Sequence, residues 1–219
     1  MSTDKIRGNH HFETAEYGEA RSGLLLVQPV SVHDLSGIES EVSAIRQLTG
    51  RDFRLVTVKV HSWNQDLSPW PSPAVFGKEG FGDGAGDTLA AILPLVGNSE
   101  KVIIGGYSLA GLFALWAGYQ SDLFSGIAAA SPSVWFPGFS GYMKQHEMKS
   151  PCVYLSLGDL EEKTRNPVMS RVGDCIREAY TLLDLQGINC FLEWNKGNHF
   201  REPDLRTAKA FAWAIQHTG

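Results

Sequence analysis

Cysteine is scarce in this chain of 219 residues, which has three: Cys152, Cys175 and Cys190. An odd number at wide spacings supports neither a disulfide framework nor a paired Cys-x-x-Cys metal knuckle, so a reducing, cytoplasmic setting is expected. Basic charge is also in short supply, with 19 Lys and Arg against 24 Asp and Glu. The resulting net charge of −5 leaves no footprint for nucleic acid and no polybasic stretch for an anionic membrane surface. No run approaches the ~20 apolar residues of a membrane span, and the opening segment 1–22 is polar, without the apolar core of a signal peptide. Among the histidines only His10 and His11 lie close together, in that polar segment. A metalloenzyme is therefore the weakest functional class, and the expected chemistry calls for no metal and no cofactor.

What is present is ordinary for a globular chain: 43% hydrophobic and 20% charged residues, consistent with a single domain over 1–219. Short apolar runs at 24–27, 55–60, 102–104, 126–130, 153–157 and 190–194 read as strands, and their lack of polar alternation suits a buried parallel sheet. Between them, 38–48, 87–96, 109–119, 167–186 and 204–217 are long enough for helices with an apolar face. Strand and helix taking turns predict an α/β fold: a reduced, mostly parallel sheet of about six strands with helices on both faces. Because strand 24–27 follows the polar start directly, no earlier strand is expected. In such a sheet, functional loops follow the C-terminal ends of the strands.

The segment 61–87 breaks the alternation. It is rich in Gly, Pro and aromatics, and exceeds the ~12–15 residues beyond which an irregular loop is either functional or disordered. Trp63, Trp70, Phe76 and Phe81 favour an ordered excursion over the active site.

The chemistry-bearing motif is VIIGGYSLAGLFALWAGY. Ser108 comes after a strand and before a helix, with Gly106 and Ala110 two residues to either side, the setting of a nucleophile elbow in which close approach of strand and helix demands small neighbours. A glycine-rich turn with a capping serine is the plainer alternative. The Leu109 N–H, at the head of the helix, is the expected oxyanion donor. A second donor should come from VQPV after the first strand; Pro29 has no N–H, which leaves Gln28 or Val30, with Val30 preferred.

A nucleophilic serine needs a base, and His199 sits between the last strand and the last helix, where the order Ser, acid, His places it. His61, after a strand and beside Trp63, is its rival. Three carboxylates, Asp159, Glu161 and Glu162, compete for the acid in the loop after strand 153–157. A cluster like this is as readily a solvated loop.

The stretch GYSLAGLFALWAGYQSDLFSGIAAASPSVWF, with the GDLE and GNHF loops, resembles the esterase D-like group of α/β-hydrolases, which includes siderophore esterases, feruloyl esterases and S-formylglutathione hydrolases. The resemblance covers most of the chain and implies a carboxylic ester hydrolase acting on a small-molecule ester, with Ser108 as nucleophile and His199 as base. It places the acid three residues after Gly158, on Glu161. Two departures stand out: Ala110 replaces the second elbow glycine, and VQPV replaces the usual glycine-rich oxyanion loop. Trp63 and Trp135 are the expected substrate contacts. A thioesterase or acyltransferase would use the same triad, and a noncatalytic binding domain on this scaffold is a third reading.

Overall fold

The computed structural model describes residues 12–19 and 21–218; His10 and His11 lie outside them. Among the described residues, seven strands form one sheet in the order β1-β3-β2-β4-β5-β6-β7. They are β1 (Glu13–Gly18), β2 (Leu24–Val30), β3 (Arg54–Lys59), β4 (Lys101–Tyr107), β5 (Gly126–Ala130), β6 (Cys152–Gly158) and β7 (Asn189–Asn195). All neighbours run parallel except β1, which pairs antiparallel with β3.

The helices are α1 (Ile38–Thr49), α2 (Trp63–Asp66), α3 (Ala85–Val96), α4 (Leu109–Gln120), α5 (Phe139–Gln145), α6 (Val172–Leu185) and α7 (Pro203–His217). Each strand divides its side chains between two cores, because successive residues point to opposite faces. On one face Leu26, Leu55, Ile103, Ala128 and Tyr154 meet α1 and α7. On the other Val27, Val56, Ile104, Ile127 and Leu155 meet α3, α4 and α6. The fully buried runs of β5 and β6 follow from this double covering.

The expectation of about six strands, with none before residue 24, is corrected by β1. That strand, ETAEYG, is exposed along nearly its whole length, so it has no apolar run to reveal it. It is an edge strand held by its backbone ladder to β3 and by ion pairs from Glu13 to Lys59 (2.8 Å) and Glu16 to Arg54 (3.4 Å). The chain reverses its direction of sheet growth between β2 and β4, the place where parallel α/β sheets open a crevice at the strand ends. No helix among the described residues is long and apolar enough to cross a membrane.

Candidate active site

Ser108 stands between the last residue of β4 and the first of α4, with φ 59° and ψ −119°, a strained conformation for a non-glycine residue. The sharp turn is possible because the neighbours are small. A Cβ on Gly106 would lie 2.6 Å from the Cβ of Ala110, and one on Gly111 would lie 3.0 Å from the Gly106 carbonyl oxygen. The departure at Ala110 is therefore accommodated by Gly106 opposite it. Two backbone bonds pin the turn to the loop after β5: Ser108 N–H to the Ala130 carbonyl and Ser133 N–H to the Ser108 carbonyl, both 3.0 Å.

His199 approaches from the loop after β7. Its Nε2 is 3.0 Å from Ser108 Oγ, and its Nδ1 is 2.7 Å from Oε2 of Glu161, in the loop after β6. With the ring proton on Nδ1, His199 donates to Glu161 and accepts from the Ser108 hydroxyl. The other Glu161 oxygen, Oε1, accepts from the Gly158 N–H (2.6 Å), the Ser131 hydroxyl (2.8 Å) and Arg206 Nη1 (2.8 Å). Burial alone would raise the Glu161 carboxyl; the bond to and charge of His199, with the Gly158 and Ser131 bonds, outweigh it and hold its pKa below the ordinary value.

The competing carboxylates have other partners. Asp159 accepts the Gly197 N–H at 2.8 Å and so ties the Glu161 loop to the His199 loop. Glu162 faces Arg177 at 3.6 Å. His61 stacks on Phe12 with ring centroids 5.2 Å apart and lines no part of the cavity at Ser108.

That cavity, of about 640 Å³, has Ser108, His199 and Glu161 in its wall. Trp63, Phe76 and Phe81 of the 61–87 excursion line it, as do Trp135 and Phe200. Phe81 stands edge-on to both Trp135 (6.1 Å) and Phe136 (5.1 Å), which turns the excursion into a wall packed on the loop after β5. The expected contacts Trp63 and Trp135 thus both face this space. Asn64, Lys163, Asn166 and Asn198 add polar groups to the lining.

Leu109 opens α4, whose first turn has no side-chain cap, so its N–H lies at the positive end of the helix beside Ser108. Val30 is not placed to join it. Its side chain is fully buried between the sheet and α1, and its carbonyl accepts the Val60 N–H at 3.0 Å. A residue in a parallel ladder turns its N–H and carbonyl toward the same neighbour, so the Val30 N–H faces β3, away from the serine. Gln28 points instead into a separate cavity of about 170 Å³ with Glu41 and His33. The preference for Val30 read the end of strand 24–27 as a loop, whereas β2 continues to residue 30.

Solved structures share this architecture. The siderophore hydrolase EstA from Aspergillus nidulans superposes with a TM-score of 0.67 at 17% identity, covering 99% of both chains. The IroE-like serine hydrolase from Shewanella oneidensis gives 0.72 at 16% identity over 92% of this chain and 75% of its own. The enterobactin esterase from Shigella flexneri gives 0.65 at 15% identity over 94% of this chain and 55% of its own. The fold is that of the α/β-hydrolases. No protein-family model matches the sequence, and no curated protein matches it either. Siderophore hydrolases, an enterobactin esterase and a serine hydrolase thus have this fold, in line with the resemblance carried by the sequence motifs.

Several residues of the candidate site escape a linear reading. Ser131 and Ser133 lie in the loop after β5, and the Ser133 hydroxyl is 3.4 Å from that of Ser108. Arg206 is a charged residue inside the buried stripe of α7, among Thr207, Ala210, Phe211 and Ala214. A cation on an apolar helical face was the available signal, since Arg is almost never fully buried without a partner.

Proposed function

We propose that the protein is a serine hydrolase of carboxylic esters, in which Ser108 is the nucleophile, His199 the general base and Glu161 the orienting acid. The observation that carries this reading is the unbroken line of hydrogen bonds from Ser108 Oγ through His199 to Glu161, opening on an apolar cavity. Ser108 Oγ attacks the ester carbonyl while its proton passes to His199 Nε2, and the Leu109 N–H stabilises the oxyanion. The tetrahedral intermediate collapses, the C–O bond to the leaving alcohol breaks, and His199 returns its proton to that alcohol. Water, deprotonated by the same nitrogen, then attacks the acyl-enzyme, releasing the carboxylic acid and restoring the Ser108 hydroxyl. Glu161 fixes the ring tautomer and offsets the charge of the imidazolium that forms twice in each cycle.

Trp63, Phe81 and Trp135 suit a short or aromatic acyl group, and the 61–87 excursion acts as the cover of the cavity. Similarity to siderophore hydrolases adds trilactone siderophores to the substrates worth testing. The test is turnover of p-nitrophenyl esters of graded acyl length by wild type, Ser108→Ala and His199→Ala, with fluorophosphonate labelling of each. Either substitution is expected to lower turnover by roughly 10⁴–10⁶ with the fold retained. Unchanged turnover in a folded Ser108→Ala protein would refute the reading.

A further inference from the structure

Arg206 belongs to α7, a helix that carries none of the three proposed triad residues, yet it is only 2% exposed. A guanidinium so buried requires acceptors for its charge and its donors. It has them, spread over four separate segments. The two hydrogens of Nη1 are shared among Glu161 Oε1 (2.8 Å), the Tyr107 hydroxyl (2.9 Å) and the Ser131 hydroxyl (3.1 Å). Nη2 donates to the carbonyls of Asn198 (3.1 Å) and Lys196 (3.4 Å). The Tyr107 hydroxyl in turn donates to the carbonyl of His199 itself, at 2.8 Å.

These acceptors are the neighbours of the reacting groups. Tyr107 immediately precedes Ser108. Lys196 and Asn198 belong to the loop that presents His199, and Ser131, held at φ 40°, hydrogen-bonds Glu161 from the loop after β5. One planar fork therefore touches the serine strand, the acid loop and the base loop at once.

The geometry points to Arg206 as the positioning residue of the Ser108–His199–Glu161 relay: it binds the carboxylate oxygen that His199 does not use and fastens the loops carrying base and acid to the strand before the serine. This rests on the serine-hydrolase reading above. A carboxylate can turn about its bond to the chain. With Oε1 held by Arg206, Gly158 and Ser131, Oε2 stays directed at Nδ1. Lysine would keep the charge but not the fork that spans carboxylate, hydroxyl and carbonyls together.

A purely structural arginine would affect stability and leave the kcat of the folded fraction alone, so the variants to compare are Arg206→Met, Arg206→Lys, Glu161→Gln and the Arg206→Met/Glu161→Gln pair. For p-nitrophenyl butyrate, Arg206→Met is expected to lower kcat about a hundredfold with little change in KM, the scale of loss when a distant substitution shifts reacting groups by an ångström. Arg206→Lys should recover part of that loss. The double variant should be no slower than Glu161→Gln alone, because residues acting as a unit are not additive. In parallel, the His199 Nδ1–H donated to Glu161 should give a low-field proton NMR signal in wild type that weakens in Arg206→Met. That signal is read without substrate: if wild type hydrolyses no ester, the functional reading falls while the positioning role is still tested. A folded Arg206→Met protein with wild-type kcat and an unchanged signal would overturn the assignment, as would multiplicative losses in the double variant. Should Arg206→Met not fold, Arg206→Lys and Tyr107→Phe decide the matter. The latter removes the bond to the His199 carbonyl together with one acceptor of Arg206 Nη1, so it cuts the link between the two, and wild-type kcat in both would also overturn it.

Discussion

At the residue scale, a strongly perturbed carboxyl lies outside the proposed triad. Glu41, 3% exposed on α1, has its pKa pushed up to about 8 by burial, with Asp204 and Asp34 adding repulsion and a 3.3 Å bond from Gln28 Nε2 opposing. Two buried acceptors of this pair, Gln28 Oε1 and Glu41 Oε1, have no partner among the described residues. Protonation of Glu41 turns one of them into a donor and lets the other accept it, so an acid–amide pair closes without a buried charge. The sign of the pH dependence follows. Glu41 binds its proton more tightly folded than unfolded, so the stability of the neutral form is fully present below about pH 4.5 and is lost as the pH rises to about 8. At about 1.4 kcal/mol for each tenfold change in proton affinity, the loss amounts to several kcal/mol. Glu41→Gln, which keeps the shape and a donor, should flatten that slope and be more stable than wild type at pH 8. Urea unfolding between pH 5 and pH 9 measures it; parallel curves for the two proteins would show that Glu41 is ionised in the fold. Glu161 acts in the opposite direction: its lowered pKa contributes stability above its unfolded value that is lost as the pH falls through the folded one.

At the element scale, the β4–α4 elbow depends on which side of the turn lacks a Cβ. Gly106→Ala would place two Cβ atoms 2.6 Å apart, so strand and helix must separate. The expected cost is about 1–3 kcal/mol, as for other overpacked sites, with most of the turnover lost because Ser108 moves with the helix. Ala110→Gly is the converse: it restores the usual elbow pattern, weakens the first turn of α4 by about 0.5–1 kcal/mol and should leave turnover intact. Thermal unfolding with ester kinetics on both variants checks the pair. Equal kinetic effects from the two would mean that the contact does not set the position of Ser108. The elbow was legible because strand, glycine, serine and helix are contiguous in the chain. The short α2 and α5 were not, since four and seven residues held by tertiary contacts carry too little periodicity to declare a helix.

At the scale of the whole molecule, β1 closes the β3 edge of the sheet although almost nothing in it is buried. Without it β3 would offer a row of unpaired backbone groups beside Val56 and Val58, and such edges recruit other chains. Removing residues 1–18 is therefore expected to produce concentration-dependent association, visible by light scattering against the full chain; a variant as monodisperse as the full chain would show the edge to be protected in another way. Here the division between chain and fold is clear. By itself the sequence determined the alternation of strands and helices, the elbow at Ser108 and the loop position of His199, because each depends on neighbours within about ten residues and on one periodic pattern. Among the three carboxylates of one loop the residues alone left the choice open and the family resemblance favoured Glu161; the tertiary structure puts that one against His199, and it alone decided that Val30 is sealed in the β2–β3 ladder and that Arg206 reaches Tyr107, Ser131 and Glu161 together. Those outcomes depend on where loops from β4, β5, β6 and β7 converge, and on burial that leaves a polar group no choice but the partner packed against it.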